Sequence, residues 1–351
     1  MHCVELNGLR RAAKESQPKF GGWKNLKMRR ALFDKPPVSQ PSREQPPSRT
    51  HPSMRSIPTR LRAWSCLLIF LLSLVMVSEL STLALRGAGY NSRWESRLMA
   101  HGLGWWLTHT KALAFLIVVL ATWIVANFEH KSVGDFGLPW HRAFRGRFWL
   151  GAACGFAALT FLLAAMHMIG VFNFAVVPVH GIQPWERALS YALVFVFGAL
   201  FEESLFRGYL QSNLTSAVGF WPAAAVTSLL FAYAHRNNSD ETFAGVLSAG
   251  AVGFLFCLLL RRNGDLWVPV GFHAAWNWGE TYFYGVPNSG AASSTHLFQG
   301  NFSGPPWLTG GSAGPEGSWL CLILIATSCM AVAHWLRKAS RADPPALETD
   351  R

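Results

Sequence analysis

Charged residues are scarce in this chain. Only 14% of its 351 residues are Asp, Glu, Lys or Arg, whereas 51% are hydrophobic. The 16 Trp and 25 Phe are many for a soluble protein of this size. The shortage of charge therefore argues against an ordinary soluble domain and directs attention to the apolar segments.

Cysteine is also sparse, and its six copies form no CxxC pair. One of them, Cys3, precedes the apolar part of the chain. The others lie inside apolar segments: Cys66, Cys154, Cys257, Cys321 and Cys329. Without a paired spacing, the sequence indicates neither a disulfide framework nor a structural zinc site. These five thiols are predicted to be buried and inert.

Long apolar runs, in contrast, recur along the chain, and many approach the ~20 residues that a transmembrane helix needs. We therefore predict an all-α polytopic membrane bundle of about eight transmembrane helices. The predicted spans are 63–78 with its continuation to 85, 112–128, a third within 148–177, 189–217, 221–235, 243–260, 266–284 and 319–336. The helices up to residue 180 form a first group, 61–180.

The positive charge is concentrated ahead of the first apolar block. Residues 1–62 hold 14 Lys and Arg against 4 Asp and Glu, which is most of the net charge of +12. A basic flank favours a cytoplasmic N-terminus, and about eight spans then place the C-terminus on the same side. The Pro- and Ser-rich segment 1–60 is predicted to be disordered. It has no recognisable nucleic-acid-binding motif, so nucleic acid is not an expected partner.

Loop charges support this orientation in part. The predicted outer loop 285–318 contains neither Lys nor Arg. The predicted cytoplasmic loops carry Lys131, Arg142, Arg145, Arg147, Arg261, Arg262, Arg337, Lys338 and Arg341. The first outer loop, with Arg86, Arg93, Arg97 and Lys111, fits poorly.

Two alternatives concern the start of the chain. Met54 directly precedes Arg55 and the first apolar block, so it resembles a natural translation start. A cleaved signal peptide is the alternative to a retained first helix. The retained helix is favoured because several apolar blocks follow.

Three charges interrupt the fourth predicted span, in the run GALFEESLFRGYL at 198–210. A charged group at membrane depth costs at least a few kcal/mol, so such a group indicates function. Glu203 and Arg207 are four residues apart and share a helix face. Glu202 is rotated by about 100° from Glu203, so the two carboxylates are predicted to have different surroundings. The sequence thus predicts a structural role for Glu203 and a chemical role for Glu202.

Two other spans carry histidine. His235 ends the fifth, while His273 and Asn277 share a face of the seventh. Together with Glu202 these side chains can hold and polarise a water molecule, and a carboxylate in a pocket of low dielectric constant suits a general base. With a divalent metal such as zinc, Glu202, His235 and His273 would form an open metal site. Both chemistries lead to hydrolysis.

The motifs EExxxR, FxxxH and HxxxN on successive apolar helices resemble those of the CPBP intramembrane proteases. This family is also called Abi or CAAX-protease and includes the type II CAAX prenyl endopeptidase. The motifs read Glu202-Glu203-Ser-Leu-Phe-Arg207, Phe231-Ala-Tyr-Ala-His235 and His273-Ala-Ala-Trp-Asn277. The resemblance defines a protease-like domain at 188–340.

The resemblance implies an endopeptidase of the metallo or glutamate type. Glu202 would activate the water, while His235, His273 and Asn277 would hold the water or metal and stabilise the oxyanion. The second motif glutamate would pair with the motif arginine. The implied substrates are membrane proteins or lipidated, CAAX-like peptides in the bilayer, and the expected location is a bacterial inner membrane.

Two non-proteolytic functions stay open. The first is a membrane scaffold or bacteriocin self-immunity protein with the same fold, which an intact Glu/His/His/Asn set disfavours. The second is a proton-coupled transporter, which would be expected to show paired repeats with broken helices. No internal repeat is visible in the sequence.

An aromatic cluster follows the HxxxN motif. It comprises Trp276, Trp278, Tyr282, Phe283 and Tyr284. Aromatic side chains are enriched at membrane surfaces. The cluster is therefore predicted to anchor its helix at the interface rather than to line a substrate groove.

Overall fold

Most of the described chain is helical. The computed structural model describes residues 59–87, 103–176, 183–238, 240–293 and 295–342. The predicted disordered tail lies outside these residues, except for Thr59 and Arg60, which begin the first helix. The suggested start at Met54 also lies outside them. The all-α polytopic bundle is confirmed.

The helices follow the predicted apolar blocks, with revised ends. They are α1 Thr59–Gly87, α2 Leu103–Glu129, α3 Gly146–Ile169, α4 Gln183–Glu203, α5 Gln211–Val218, α6 Phe220–His235, α7 Phe243–Asn263, α8 Trp267–Trp278, α9 Pro306–Thr309 and α10 Trp319–Ala342. Two π-helical segments interrupt this pattern. Ser204–Leu210 joins α4 to α5, and Gly279–Tyr284 follows α8.

Within the described residues, 6 helical segments are long and apolar enough to cross a membrane. They are Arg60–Gly87, Leu103–Glu129, Gly146–Ile169, Pro184–Val218, Phe243–Asn263 and Trp319–Lys338. The other two predicted spans are present as α6, with 16 residues, and as α8, with 12 residues and a π-helical extension of 6 residues. Both are shorter than the ~20 residues of a full span.

A short two-stranded sheet replaces the end of the third predicted span. Helix α3 ends at Ile169, and β1 (Phe172–Val176) pairs antiparallel with β2 (Phe298–Phe302). Gly170 ends the helix in the left-handed region, with φ 86. The sheet ties the loop after α8 to the end of α3.

Helices α3 and α8 pack backbone against backbone. A Cβ added at Gly151 or Gly155 of α3 would overlap backbone carbonyl oxygens of α8. The two residues form a GxxxG pattern, which lets membrane helices approach closely. This contact fixes the position of α8, which carries His273 and Asn277.

Substituting Gly155 by Ala should lower the free energy of unfolding by about 1–3 kcal/mol, because the methyl group must displace α8. The midpoint of thermal unfolding of the purified protein in detergent measures the effect. Gly146→Ala is the matched control, since a Cβ at this first residue of α3 meets nothing within 4 Å. Equal midpoints for the two variants would contradict the packing argument.

A buried aspartate secures the start of α8. Asp265 is 0% exposed and accepts hydrogen bonds from Arg147 and, at 3.2 Å, from Arg142. Its other carboxylate oxygen accepts from the backbone N–H of Trp267 at 3.4 Å. The loop between α2 and α3 is thereby tied to the entry of α8.

The cysteine prediction is wrong at one position. Cys66, Cys257 and Cys321 are buried and Cys329 is half-buried, but Cys154 is exposed on α3. All five are free thiols. Cys154 occupies an outward face of its helix, which an apolar run alone does not distinguish from an inward one.

Candidate active site

The EExxxR run lies where α4 changes its helical form. Helix α4 ends at Glu203, and the π-helical segment begins at Ser204. Such segments shift side-chain directions within an otherwise regular helix and occur frequently at functional sites. Nothing in the apolar pattern of this run indicates the change.

Glu203 and Arg207 form a fully buried ion pair. Arg207 Nη1 lies 3.1 Å from Glu203 Oε1 and 3.2 Å from Oε2. Both side chains are 0% exposed. The guanidinium also lies 4.0 Å from the ring centre of Phe231. Gly253 on α7 leaves room for it, because a Cβ there would overlap the guanidinium.

His273 contacts both motif carboxylates. Its Nδ1 lies 3.0 Å from Glu203 Oε1, and its Nε2 lies 3.7 Å from Glu202 Oε2. The two glutamates therefore share this one neighbour, although Glu203 is fully buried against Arg207 and Glu202 is 18% exposed. An imidazole has nitrogens on two sides, so one ring can bridge carboxylates that project in different directions.

His235 faces the same Glu202 oxygen. Its Nδ1 lies 2.8 Å from the Phe231 carbonyl oxygen. A carbonyl only accepts, so Nδ1 carries the hydrogen and Nε2 is left free. This Nε2 lies 4.0 Å from Glu202 Oε2. That oxygen is buried and has no hydrogen-bond partner among the described residues.

All four residues predicted to act on the substrate line one cavity. The cavity has a volume of about 290 Å³ and is lined by Glu202, His235, His273 and Asn277. The Asn277 side chain is half-buried, and its amide forms no hydrogen bond within the described part of the chain. The cavity thus brings together a carboxylate, two imidazoles and a free amide.

Lys111 is a member of this site that the sequence analysis missed. Its Nζ lies 3.8 Å from Glu202 Oε1, and it lines the cavity. The polar residues before it suggest a loop. They nevertheless belong to helix α2. The side chains of Thr108 and His109 each contact the carbonyl oxygen four residues earlier, at 2.8 and 2.7 Å. The available signal was a lysine directly beside a long apolar run.

The other end of the cavity is acidic. Trp276 Nε1 donates to Glu316 at 3.0 Å, and Ser289 donates to the same carboxylate through N–H at 3.1 Å and through Oγ at 2.5 Å. Trp276 is only 6% exposed and lines the cavity, so interface anchoring is wrong for this residue. Its acceptor comes from the loop before α10, which no local pattern reveals.

Glu241 lies at the same end of the cavity. Burial raises the pKa of its carboxyl group, a hydrogen bond from the Thr242 N–H opposes that rise, and the nearby Glu316 adds to it. The carboxylates of Glu241 and Glu316 therefore share one polar region beside the catalytic candidates.

The donor types of Glu202, His235 and His273 suit zinc, but their arrangement does not. The distances of 3.7 and 4.0 Å between the imidazole nitrogens and the carboxylate oxygen exceed the ~3.3 Å between ligands of a tetrahedral zinc ion. Within the described ranges, no group of three His, Cys, Asp or Glu side chains is placed to hold a metal ion.

Residues 184–279 match the sequence model of a protein family, type II CAAX prenyl endopeptidase Rce1-like. The matched segment contains the EExxxR, FxxxH and HxxxN motifs. The family resemblance inferred from those motifs is confirmed over this segment. A comparison with curated proteins finds no match.

Proposed function

We propose that the chain is an intramembrane endopeptidase acting on membrane-associated proteins. The single observation that carries this proposal is the shared cavity of Glu202, His235, His273 and Asn277, residues drawn from three separate helices. The match to the Rce1-like family supports it. The cavity lies among helices long and apolar enough to cross a membrane.

The catalytic water would bind between Glu202 Oε2 and the two free Nε2 atoms. These atoms are 3.7 and 4.0 Å from the carboxylate oxygen, so a water can bridge them with hydrogen bonds of ordinary length. With both imidazoles neutral, all three atoms are acceptors. A water that donates one hydrogen to Glu202 Oε2 and the other to one of the two nitrogens directs a lone pair towards the substrate carbonyl.

Glu202 would act first as base and then as acid. As the water oxygen bonds to the carbonyl carbon, Glu202 takes one water proton. The tetrahedral intermediate collapses when the C–N bond breaks, and the protonated Glu202 gives that proton to the leaving amine. One water and one peptide bond yield a carboxylic acid and an amine, with the carboxylate restored.

Asn277 would stabilise the oxyanion. Its side-chain amide lines the cavity and is free of hydrogen bonds to the described residues. An amide N–H placed at the developing negative charge acts most strongly where water is excluded. His273 lies one helical turn earlier on α8, so donor and water site are held by one rigid element.

Asn277→Ala should lower kcat by about 10²–10³-fold with little change in KM, because the lost bond strengthens only in the transition state. Steady-state cleavage of a membrane-tethered peptide in proteoliposomes measures it. Asn127→Ala, on the exposed face of α2, is the control. A tenfold rise in KM at constant kcat would instead assign Asn277 to substrate binding.

A metal-dependent mechanism with zinc is the alternative from the sequence. Elemental analysis of the purified protein, with His235→Ala as the comparison, distinguishes the two. Stoichiometric zinc that is lost in this variant would support the metal form. The metal-free reaction above predicts activity that survives exhaustive chelation.

Two observations support a substrate class: the site lies among helices long enough to cross a membrane, and the chain matches the Rce1-like family over 184–279. We propose membrane proteins or lipidated, CAAX-like peptides as substrates, cleaved in or near the bilayer. We propose the bacterial inner membrane as the location, with both termini cytoplasmic, and the basic N-terminal flank supports this orientation.

Comparative mass spectrometry of membrane-protein C-termini tests the function in cells. Cells expressing the wild type should contain processed termini that are absent from cells expressing Glu202→Gln at equal abundance. Identical sets of termini would contradict proteolysis. If Glu202→Gln also kept the cellular phenotype, the result would favour the non-catalytic scaffold or self-immunity role.

Proton-coupled transport makes a different prediction. A relay through His273 would be lost in His273→Ala, so proton flux into proteoliposomes would fall in this variant. The endopeptidase predicts no such flux in either protein.

A further inference from the structure

The acidic end of the cavity is not used by the proposed chemistry. It contains Glu241 and Glu316, which line the cavity, and the buried Glu280 interacts electrostatically with both of them. In the described ranges, none of the three forms an ion pair with Lys, Arg or His within 4.0 Å. Lys111, which also lines the cavity, lies 3.8 Å from Glu202 instead.

Hydrogen bonds hold Glu316 in place without neutralising it. Trp276 and Ser289 donate to both of its oxygens. Trp276 belongs to α8, between His273 and Asn277, so this carboxylate has a fixed position relative to the catalytic candidates. Both donors are neutral, so neither of them supplies the positive charge that a cationic ligand would bring.

Unpartnered buried polar atoms mark the same region. Glu280 is 0% exposed and interacts with the side chains of Trp276 and Glu316, but neither of its carboxylate oxygens forms a hydrogen bond of ordinary geometry among the described residues. Ser248 is 2% exposed, lines the cavity, and its Oγ is likewise unpartnered in the described part of the chain. Buried polar groups without partners are costly, so their retention points to a ligand that supplies donors and positive charge.

We propose that Glu241 and Glu316, which line this acidic end, form a subsite for a Lys or Arg side chain of the substrate. The inference rests on the proposed endopeptidase function and adds the specificity of the same site. Ammonium and guanidinium groups carry several donors and a positive charge, and the neutral donors that reach Glu241 and Glu316 do not supply that charge. No three His, Cys, Asp or Glu side chains of the described residues are placed for a metal, which favours an organic cation.

The subsite lies close to the scissile bond. His273 and Glu280 are separated by seven positions along α8 and its π-helical extension, which is about 10 Å of helix. An extended peptide advances ~3.3 Å per residue. The basic side chain therefore belongs within about three residues of the bond that is cut.

Peptides that differ only at one position test the subsite. The peptides would be palmitoylated and would have the sequence around a cleavage site that is found in cells. Each peptide would carry Lys, Gln or Glu at one of the three positions on either side of that site. At one position, the wild type in proteoliposomes should show kcat/KM at least 10-fold higher for Lys than for Gln, with Glu lowest. Glu241→Gln and Glu316→Gln should each reduce the Lys-to-Gln ratio at least 5-fold while cleaving the Gln peptide normally. Glu186→Gln, an exposed carboxylate on α4, should leave the ratio unchanged.

A binding measurement separates this inference from the catalytic one. Fluorescein-labelled, palmitoylated oligolysine and oligoglutamine peptides of equal length would be titrated against the inactive Glu202→Gln protein, and against that protein with Glu241→Gln added. Tighter binding of the lysine peptide, lost with Glu241→Gln, supports the subsite even if no peptide is cleaved. Equal affinities for the two peptides, or a preference for lysine that survives Glu241→Gln, would overturn it. Unchanged thermal midpoints show that the variants are folded.

Discussion

Glu202→Gln should lower kcat for peptide hydrolysis by about 10³-fold, because the amide cannot take a proton from water. Gln keeps the shape of the side chain and one acceptor oxygen, so the cavity and substrate affinity should be retained. Glu202 is 18% exposed and its carboxylate lies 3.7 Å from His273, so the substitution removes charge without opening the core. Proteoliposome assays with a substrate identified in cells measure kcat and KM separately.

Two companion variants make the Glu202 result specific. Glu186→Gln neutralises an exposed carboxylate on the same helix and should leave kcat unchanged. Glu202→Asp keeps the charge but withdraws it by one methylene, so its kcat should lie between those of wild type and Glu202→Gln. A Glu202→Gln protein with more than a tenth of wild-type kcat would eliminate Glu202 as the base.

Arg207→Met should lower the free energy of unfolding by about 3–5 kcal/mol, the usual cost of breaking a buried ion pair on one side. Glu203 is 0% exposed, and without the guanidinium its charge would be compensated only by His273. The cost should therefore be large even though Met fills similar space. Unfolding of the detergent-solubilised protein by increasing SDS measures the difference.

The double variant Glu203→Gln/Arg207→Met separates charge from packing. It removes both charges, and the amide introduced by Glu203→Gln still presents an oxygen to His273. Because a buried pair replaced by neutral groups of similar volume costs little, the double variant should recover much of the stability lost in Arg207→Met. Equal instability of the single and double variants would indicate that guanidinium packing on Phe231, 4.0 Å away, is the larger contribution.

Hydropathy is sufficient to predict the existence of the helices but not their limits. Apolar composition does not depend on backbone hydrogen bonding, so it predicts continuous helix through both the π-helical segment Ser204–Leu210 and the strand Phe172–Val176. The start of α2 is not predicted for a similar reason. Polar side chains there form hydrogen bonds with backbone carbonyl groups of their own helix. From the sequence alone, such a group of polar residues is interpreted as a loop.

The catalytic candidates were accessible from sequence because each lies on a short motif with helical spacing. Their convergence on one cavity depends on the tertiary structure. The sequence supports it only through the free-energy cost of burying polar groups in a membrane span. The acidic end of the cavity could not be predicted from motifs. Glu316 meets Trp276 across 40 positions in the chain, and neither residue belongs to a recurring pattern around it.

The glycine contact between α3 and α8 has a consequence for dissection of this protein. The segment that matches the family ends at residue 279 and begins at 184, yet α8 rests on Gly151 and Gly155, which precede it. Lys111 and Glu316 also lie beyond its limits. A fragment excised at the boundaries of the match would hold every motif and still lack the support that aligns them. A fragment that keeps the site intact must therefore be defined by these contacts and not by the boundaries of the family match. It extends from α2 to the loop before α10.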